Sequence, residues 1–235
     1  MKNLLQRWFG SRPDLTPDQS ARLGAWLRLP PSPRTTCFEE SRYVVLDVET
    51  TGLNLVTDSL ISIGAVAVVN NRIAIGDHFS IVLQQREASR KENILIHGIS
   101  GSEQRDGLSP EEALLAFLEF LGNAPLVAFH VAFDETMIRR AIKQYLGFKF
   151  NHPWLDLAYV MPALNPELMH THRVLDDWAQ KFGIFNEARH NALADALATA
   201  QLLLVAMAQI RHSGGGRSFD GLRGLERTYR HLRQG

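Results

Sequence analysis

The sequence predicts one α/β or α+β domain, a sheet with helices on both faces. Strand-like runs come first and then alternate with helical ones. The chain is 45% hydrophobic over 235 residues, enough for one good core. A proline-rich stretch and a glycine break bracket the packed pattern. These limits divide the chain into an N-terminal extension, residues 1–41, a domain, residues 42–210, and a Gly/Arg-rich tail, residues 211–235.

In the extension, Thr16 to Leu29 has the spacing of a short amphipathic helix, with Leu23, Trp26 and Leu27 apolar. Leu29-Pro30-Pro31-Ser32-Pro33 cannot continue a helix and reads as an extended spacer. Tyr43 to Val48 is an apolar, β-branched run suited to a buried strand. Ser59 to Val69 and Arg72 to Leu83 are strand-like, and Asn70-Asn71 between them signals an antiparallel hairpin. Ser109-Pro110-Glu111-Glu112 reads as a capping box with proline at the first helical position, opening an amphipathic helix from Ala113 to Leu121. Leu126 to Phe129 returns as a strand, and Asp134 to Tyr145 has helical spacing. Val174 to Phe182 and Asn191 to Ile210 are further helices. The segment from Arg211 onward, which contains the break Ser213-Gly214-Gly215-Gly216, carries six arginines (Arg211, Arg217, Arg223, Arg227, Arg230 and Arg233) against two acids. That tail is either a phosphate-tracking or docking element or a solvated terminus.

Bulk properties narrow the function classes. Formal net charge is zero, so no whole-molecule basic field announces a nucleic-acid partner, and capture must be local. The lone Cys37 excludes an internal disulfide framework and points to a reducing, cytoplasmic compartment. Met1 to Gly10 has only brief apolar pairs, unlike a signal peptide. No run is expected to reach the roughly 18 apolar residues that span a membrane.

The chemistry begins at Asp47-Val48-Glu49-Thr50-Thr51-Gly52. Positions i and i+2 of a strand share a face, so Asp47 and Glu49 stand side by side at the end of an apolar strand. Adjacent carboxylates there repel unless something neutralises them, and a hard divalent cation prefers their oxygens. Taken alone, a solvated strand end explains the pair equally well. Asp134, in His130-Val131-Ala132-Phe133-Asp134, follows a strand and opens a helix, a position that also suits a plain cap. In His190-Asn191-Ala192-Leu193-Ala194-Asp195, Asn191 can cap the helix, leaving His190 on the loop and Asp195 one turn inside, among alanine and leucine. Together these residues make a four-carboxylate, one-histidine set. Four carboxylates suit two cations that hold the attacking and leaving oxygens of a phosphodiester. An imidazole, titrating near neutrality, can take the proton from the attacking water.

The order D-x-E-T-T-G, H-x-x-F-D and H-x₄-D resembles the DEDDh branch of the DnaQ-like 3′–5′ exonucleases, which includes the proofreading epsilon subunit of bacterial DNA polymerase III. The likeness runs from about Tyr43 to Ile210, through Ile96-His97-Gly98-Ile99 and His172-Arg173-Val174-Leu175. It implies a ribonuclease H-like fold, a mixed five-stranded sheet flanked by helices, its first three strands antiparallel. It implies two divalent cations, Mg²⁺ or Mn²⁺, on Asp47, Glu49, Asp134 and Asp195. Asp47 would bridge them, Asp134 would act partly through water, and His190 would be the general base. It also implies a 3′-terminal nucleotide received by Thr50, Thr51, Gly52 and Leu53, with His97 lining the pocket. The sequence departs from the family at Val131, where asparagine is common, which leaves the metal ligand Asp134 in place and puts one substrate contact of the family in question.

Three functions remain open at this level. A DNA-directed exonuclease of proofreading or repair, acting on single-stranded or frayed 3′ ends and served by a DNA polymerase subunit, leads. An exoribonuclease like ribonuclease T or oligoribonuclease fits the same motifs, because the cations engage phosphate and not the 2′-hydroxyl. A non-catalytic polymerase- or nucleic-acid-binding module is the third. His170-Thr171-His172 is read as a polar loop, Gln201-Leu202-Leu203-Leu204 as core, Asp156 as structural and Asp176-Asp177 as a solvated helix face. Trp8, Trp26 and the spacer form either a docking element or a helix packed on the domain.

Overall fold

The computed structural model describes residues 13–186 and 188–234; Trp8 lies outside them. Helix α1 (Pro17–Leu27) precedes strands β1 (Arg42–Thr50), β2 (Leu60–Val69) and β3 (Arg72–Val82). Helices α2 (Lys91–His97), α3 (Gly101–Asp106) and α4 (Pro110–Leu121) lead to β4 (Leu126–Ala128), α5 (Val131–Tyr145) and β5 (Trp154–Asp156). Then come α6 (Leu157–Leu164), α7 (Leu175–Lys181), α8 (Ala192–His212) and α9 (Phe219–Gln234). The sheet order is β3-β2-β1-β4-β5, the first three strands antiparallel and β4 and β5 parallel to β1. This is the ribonuclease H-like arrangement.

Alternation along β1 builds a core on each face. Val44, Leu46 and Val48 pack with α4 and α5, while Tyr43 and Val45 pack with α6, α8 and α9. The β2–β3 turn places Asn70 and Asn71 at φ 52° and 61°, the left-handed pair that a two-residue hairpin needs. α4 starts at Pro110 as expected, but no capping box forms there. Glu112 is instead drawn away by Gln19 and Arg22 of α1, at 2.6 Å each.

α1 is a packed helix. Trp26 donates to the Gly122 carbonyl at 2.9 Å and stacks on Phe150, and Leu23 joins the core. The glycine break is followed by more than a tail. Phe219, Leu222, Glu226 and Tyr229 are buried on one side of α9, whose start meets the spacer through Arg34–Asp220. The expectation that no segment reaches membrane-spanning length needs correction. α8 is long and apolar enough by length and composition, but it lies on β1 and β2 as the core helix of the sheet, over half of it buried.

Candidate active site

The site forms where β1 ends, between α8 on one face and the start of α5. Asp47 and Glu49 continue the row of Tyr43 and Val45 and so turn toward α8. Opposite Asp47 in the register stands Gly64 of β2. A Cβ there would lie 2.1 Å from the Leu193 amide nitrogen, so only glycine lets the first turn of α8 rest on the sheet. That contact delivers Asp195. Carboxylate oxygens of Asp47, Glu49 and Asp195 lie within 4.8 Å of one another. Asp134, buried in the first turn of α5, adds its charge to the environment of Asp47.

The electrostatics are those of crowded acids. Burial, then the charges of Asp134, Asp195 and Glu49, hold Asp47 well above the usual carboxylate range, with Arg189 opposing. Burial and Asp195 push Glu49 up to about 8, again against Arg189. Burial raises Asp134, and Asp156 and Glu49 add to it, while the amides of Asp134 and Val48 pull it down. Such a set is costly as anions without a cation. Its hard oxygen donors, close spacing and partial burial fit a divalent metal ion.

His190 sits on the turn before α8 at φ 62°, exposed, its amide donating to Asp195 Oδ2 at 3.1 Å. Asn191 caps α8 through the Ala194 amide at 3.1 Å, as its sequence position predicts. The Thr50–Leu53 segment is a braced turn. Thr50 Oγ1 donates to the Gly52 carbonyl at 2.6 Å, and Thr51 Oγ1 to Asp58 Oδ1 at 2.9 Å. Asn93 of α2 donates to the Thr51 carbonyl. Leu53 projects 86% exposed. His97, one turn beyond Asn93, is buried with both ring nitrogens engaged, by Ser89 and by the Ile99 amide. Its ring is thus fixed at the end of the helix that also carries Asn93.

Sequence reasoning missed several supports. Arg189 joins Asp195 and Asp176, at 2.6 Å each, so Asp176 is tied to the site rather than simply solvated. Asn186 donates to the same Asp195 oxygen at 2.5 Å. Arg140 of α5 donates to the carbonyls of Leu55, Val56 and Asp58, tying down the loop after Leu53. None follows from local pattern, because each partner lies on another element. Asp156 is structural, as expected, closing β5 and capping α6.

The profile of the exonuclease family matches residues 44–203. DNA polymerase III PolC-type of Thermotoga petrophila is 35% identical over 167 residues, 71% of this chain and 12% of that protein. The counterpart of Bacillus subtilis is 33% identical over 178 residues, 75% of this chain and again 12% of that protein. A DNA polymerase III subunit epsilon-like protein of Rhodobacter capsulatus is 30% identical over 182 residues, 76% of this chain and 25% of that protein. The chain thus spans a small part of these relatives. In fold it is similar to E. coli exonuclease I in complex with a dT13 oligonucleotide. The TM-score is 0.63 at 18% identity, covering 74% of this chain and 42% of that one.

Proposed function

Because this chain belongs to the exonuclease family, we propose that it is a 3′–5′ exonuclease releasing 5′-nucleoside monophosphates from single-stranded or frayed DNA 3′ ends. The observation that carries this reading is the convergence of Asp47, Glu49 and Asp195 within 4.8 Å, beside Asp134 and the exposed His190. Two divalent cations, Mg²⁺ or Mn²⁺, would be held by these four carboxylates and supply Lewis-acid stabilisation of the phosphodiester. His190 takes the proton of the attacking water from its exposed turn. The braced turn at Thr50, Thr51 and Gly52 presents its backbone to the terminal sugar and phosphate, Leu53 packs against the base, and His97 backs the turn. DNA is favoured by the relatives, which are named as DNA polymerases, and by the oligonucleotide carried by exonuclease I. Proofreading or repair with a DNA polymerase subunit as partner, in the cytoplasm, is the setting that follows.

The test is degradation of matched 5′-labelled DNA and RNA oligonucleotides with Mg²⁺ or Mn²⁺. Asp47→Ala is expected to abolish cleavage while the fold persists, and His190→Ala to cost ~10²- to 10⁴-fold in rate. Unchanged activity in Asp47→Ala sinks the mechanism. Faster RNA cleavage moves the reading to an exoribonuclease, and no Mn²⁺ binding in a titration moves it to a non-catalytic module.

A further inference from the structure

Among the described residues, the densest buried charge network outside the acid cluster joins α9 to the start of α5. Asp156, 2% exposed at the end of β5, uses Oδ1 to accept the amides of His130 and Ala158, both at 3.0 Å. Its Oδ2 meets Arg230 Nη2 of α9 at 3.1 Å. Arg230 also donates from Nε to Glu226 at 3.0 Å, and its guanidinium lies 3.6 Å from the centre of the Tyr159 ring. Glu226, equally buried, accepts from Arg223 at 2.9 Å and from the Asp156 amide at 3.4 Å. At the far end of this chain of contacts is His130, which precedes α5 at φ 66° without a side-chain cap. A non-glycine residue in that conformation persists only when its surroundings hold it. Asp134 sits four residues further on.

We infer that α9, which lies beyond the family-matched residues 44–203, is a clamp on the active site. Arg230 and Asp156 are positioning residues for Asp134. The route is Arg230 to Asp156, Asp156 to the His130 amide, and His130 to the first turn of α5. Two buried acids and an arginine are a poor device for stability alone, since well-packed apolar side chains do as well or better. What the ion pair supplies is direction. With Arg230 on Oδ2, the carboxylate of Asp156 is oriented so that Oδ1 faces the His130 amide. Without that anchor the carboxylate can rotate, the left-handed residue keeps its ring contact with the Arg173 carbonyl at 3.1 Å but loses the hold on its amide, and the α5 turn carrying Asp134 shifts. Displacements near 1 Å at a reacting centre cost about 10²-fold.

The consequence for catalysis rests on the exonuclease reading; the clamp itself does not. The test compares Arg230→Ala, Arg230→Lys and Leu222→Ala in the chain of 235 residues. Leu222 is buried on α9 and makes no part of the charge network. Amide exchange at His130 and through the first turns of α5 is followed by NMR, with kcat and KM on a single-stranded oligonucleotide. Arg230→Ala is expected to speed exchange at His130 about tenfold or more and to lower kcat by ~10- to 100-fold, with KM within about threefold. Arg230→Lys should recover most of both. Leu222→Ala should lower Tm while leaving His130 exchange and kcat near wild type. Wild-type exchange in Arg230→Ala overturns the clamp, as does an equal change in Leu222→Ala. If the wild-type chain cleaves no oligonucleotide, the exonuclease reading fails while the exchange data still judge the clamp.

Discussion

Glu49 exposes the electrostatic cost of this site to a direct measurement. In the absence of metal its carboxyl is pushed from 4.5 to about 8, by burial first and then by Asp195. Below pH 4.5 it is neutral both folded and unfolded, and its placement carries no charge penalty. Between 4.5 and about 8 the unfolded chain has released a proton that the folded chain keeps, so stability falls as pH rises. Above 8 the whole penalty is present. The gap corresponds to a ceiling of ~5 kcal/mol, and at about 2–4 °C per kcal/mol for a chain of this size that is ~10–20 °C. Partial exposure of Glu49 lowers the expected fall to ~5–10 °C between pH 5 and 9. Thermal melts by circular dichroism in chelator, at constant ionic strength, would measure it. Glu49→Gln keeps the shape and removes the charge, so at pH 9 in chelator it should melt above wild type while losing nuclease activity. Saturating Mn²⁺, which binds the ionised carboxylates, should flatten the wild-type slope. A flat wild-type profile in chelator, or Glu49→Gln no more stable than wild type at pH 9, would refute the reasoning.

Two structural supports give further expectations. Gly64→Ala places a methyl 2.1 Å from the backbone of α8, which cannot yield like a flexible side chain. It should cost ~3 kcal/mol or more in urea denaturation and reduce activity in the fraction that folds, by moving Asp195 from Asp47; a loss below ~1 kcal/mol would mean that α8 adjusts freely. Arg140→Ala releases three carbonyls of the loop after Leu53, and should lower stability by ~1–3 kcal/mol and raise KM several-fold with kcat nearly unchanged. Steady-state kinetics showing wild-type KM would remove that loop from substrate binding.

What the chain states locally, the structure keeps. The period-two rule alone puts Asp47 and Glu49 on one face of β1, Asn70-Asn71 closes the hairpin, and Asn191 starts α8 so that Asp195 falls in its first turn. These features depend on neighbours within a few residues, and backbone geometry settles them. β5 and α6 left weaker marks, since three strand residues and a short apolar helix show no period to read. The helical signal in α9 was present, in the spacing of Phe219, Leu222, Glu226 and Tyr229, but arginines and glycines obscured it. Which residues stand opposite one another only the tertiary structure decided. Arg189 between Asp176 and Asp195, Arg140 under the loop, and Arg230 on Asp156 are pairings across elements. The free energy of a charge depends on burial and on partners tens of residues away, and no local pattern encodes that distance. The sequence by itself determined which carboxylates, Asp47, Glu49, Asp134 and Asp195, and which histidine, His190, stand at the strand end and helix starts. Packing decided how closely the acids crowd and which arginines restrain them.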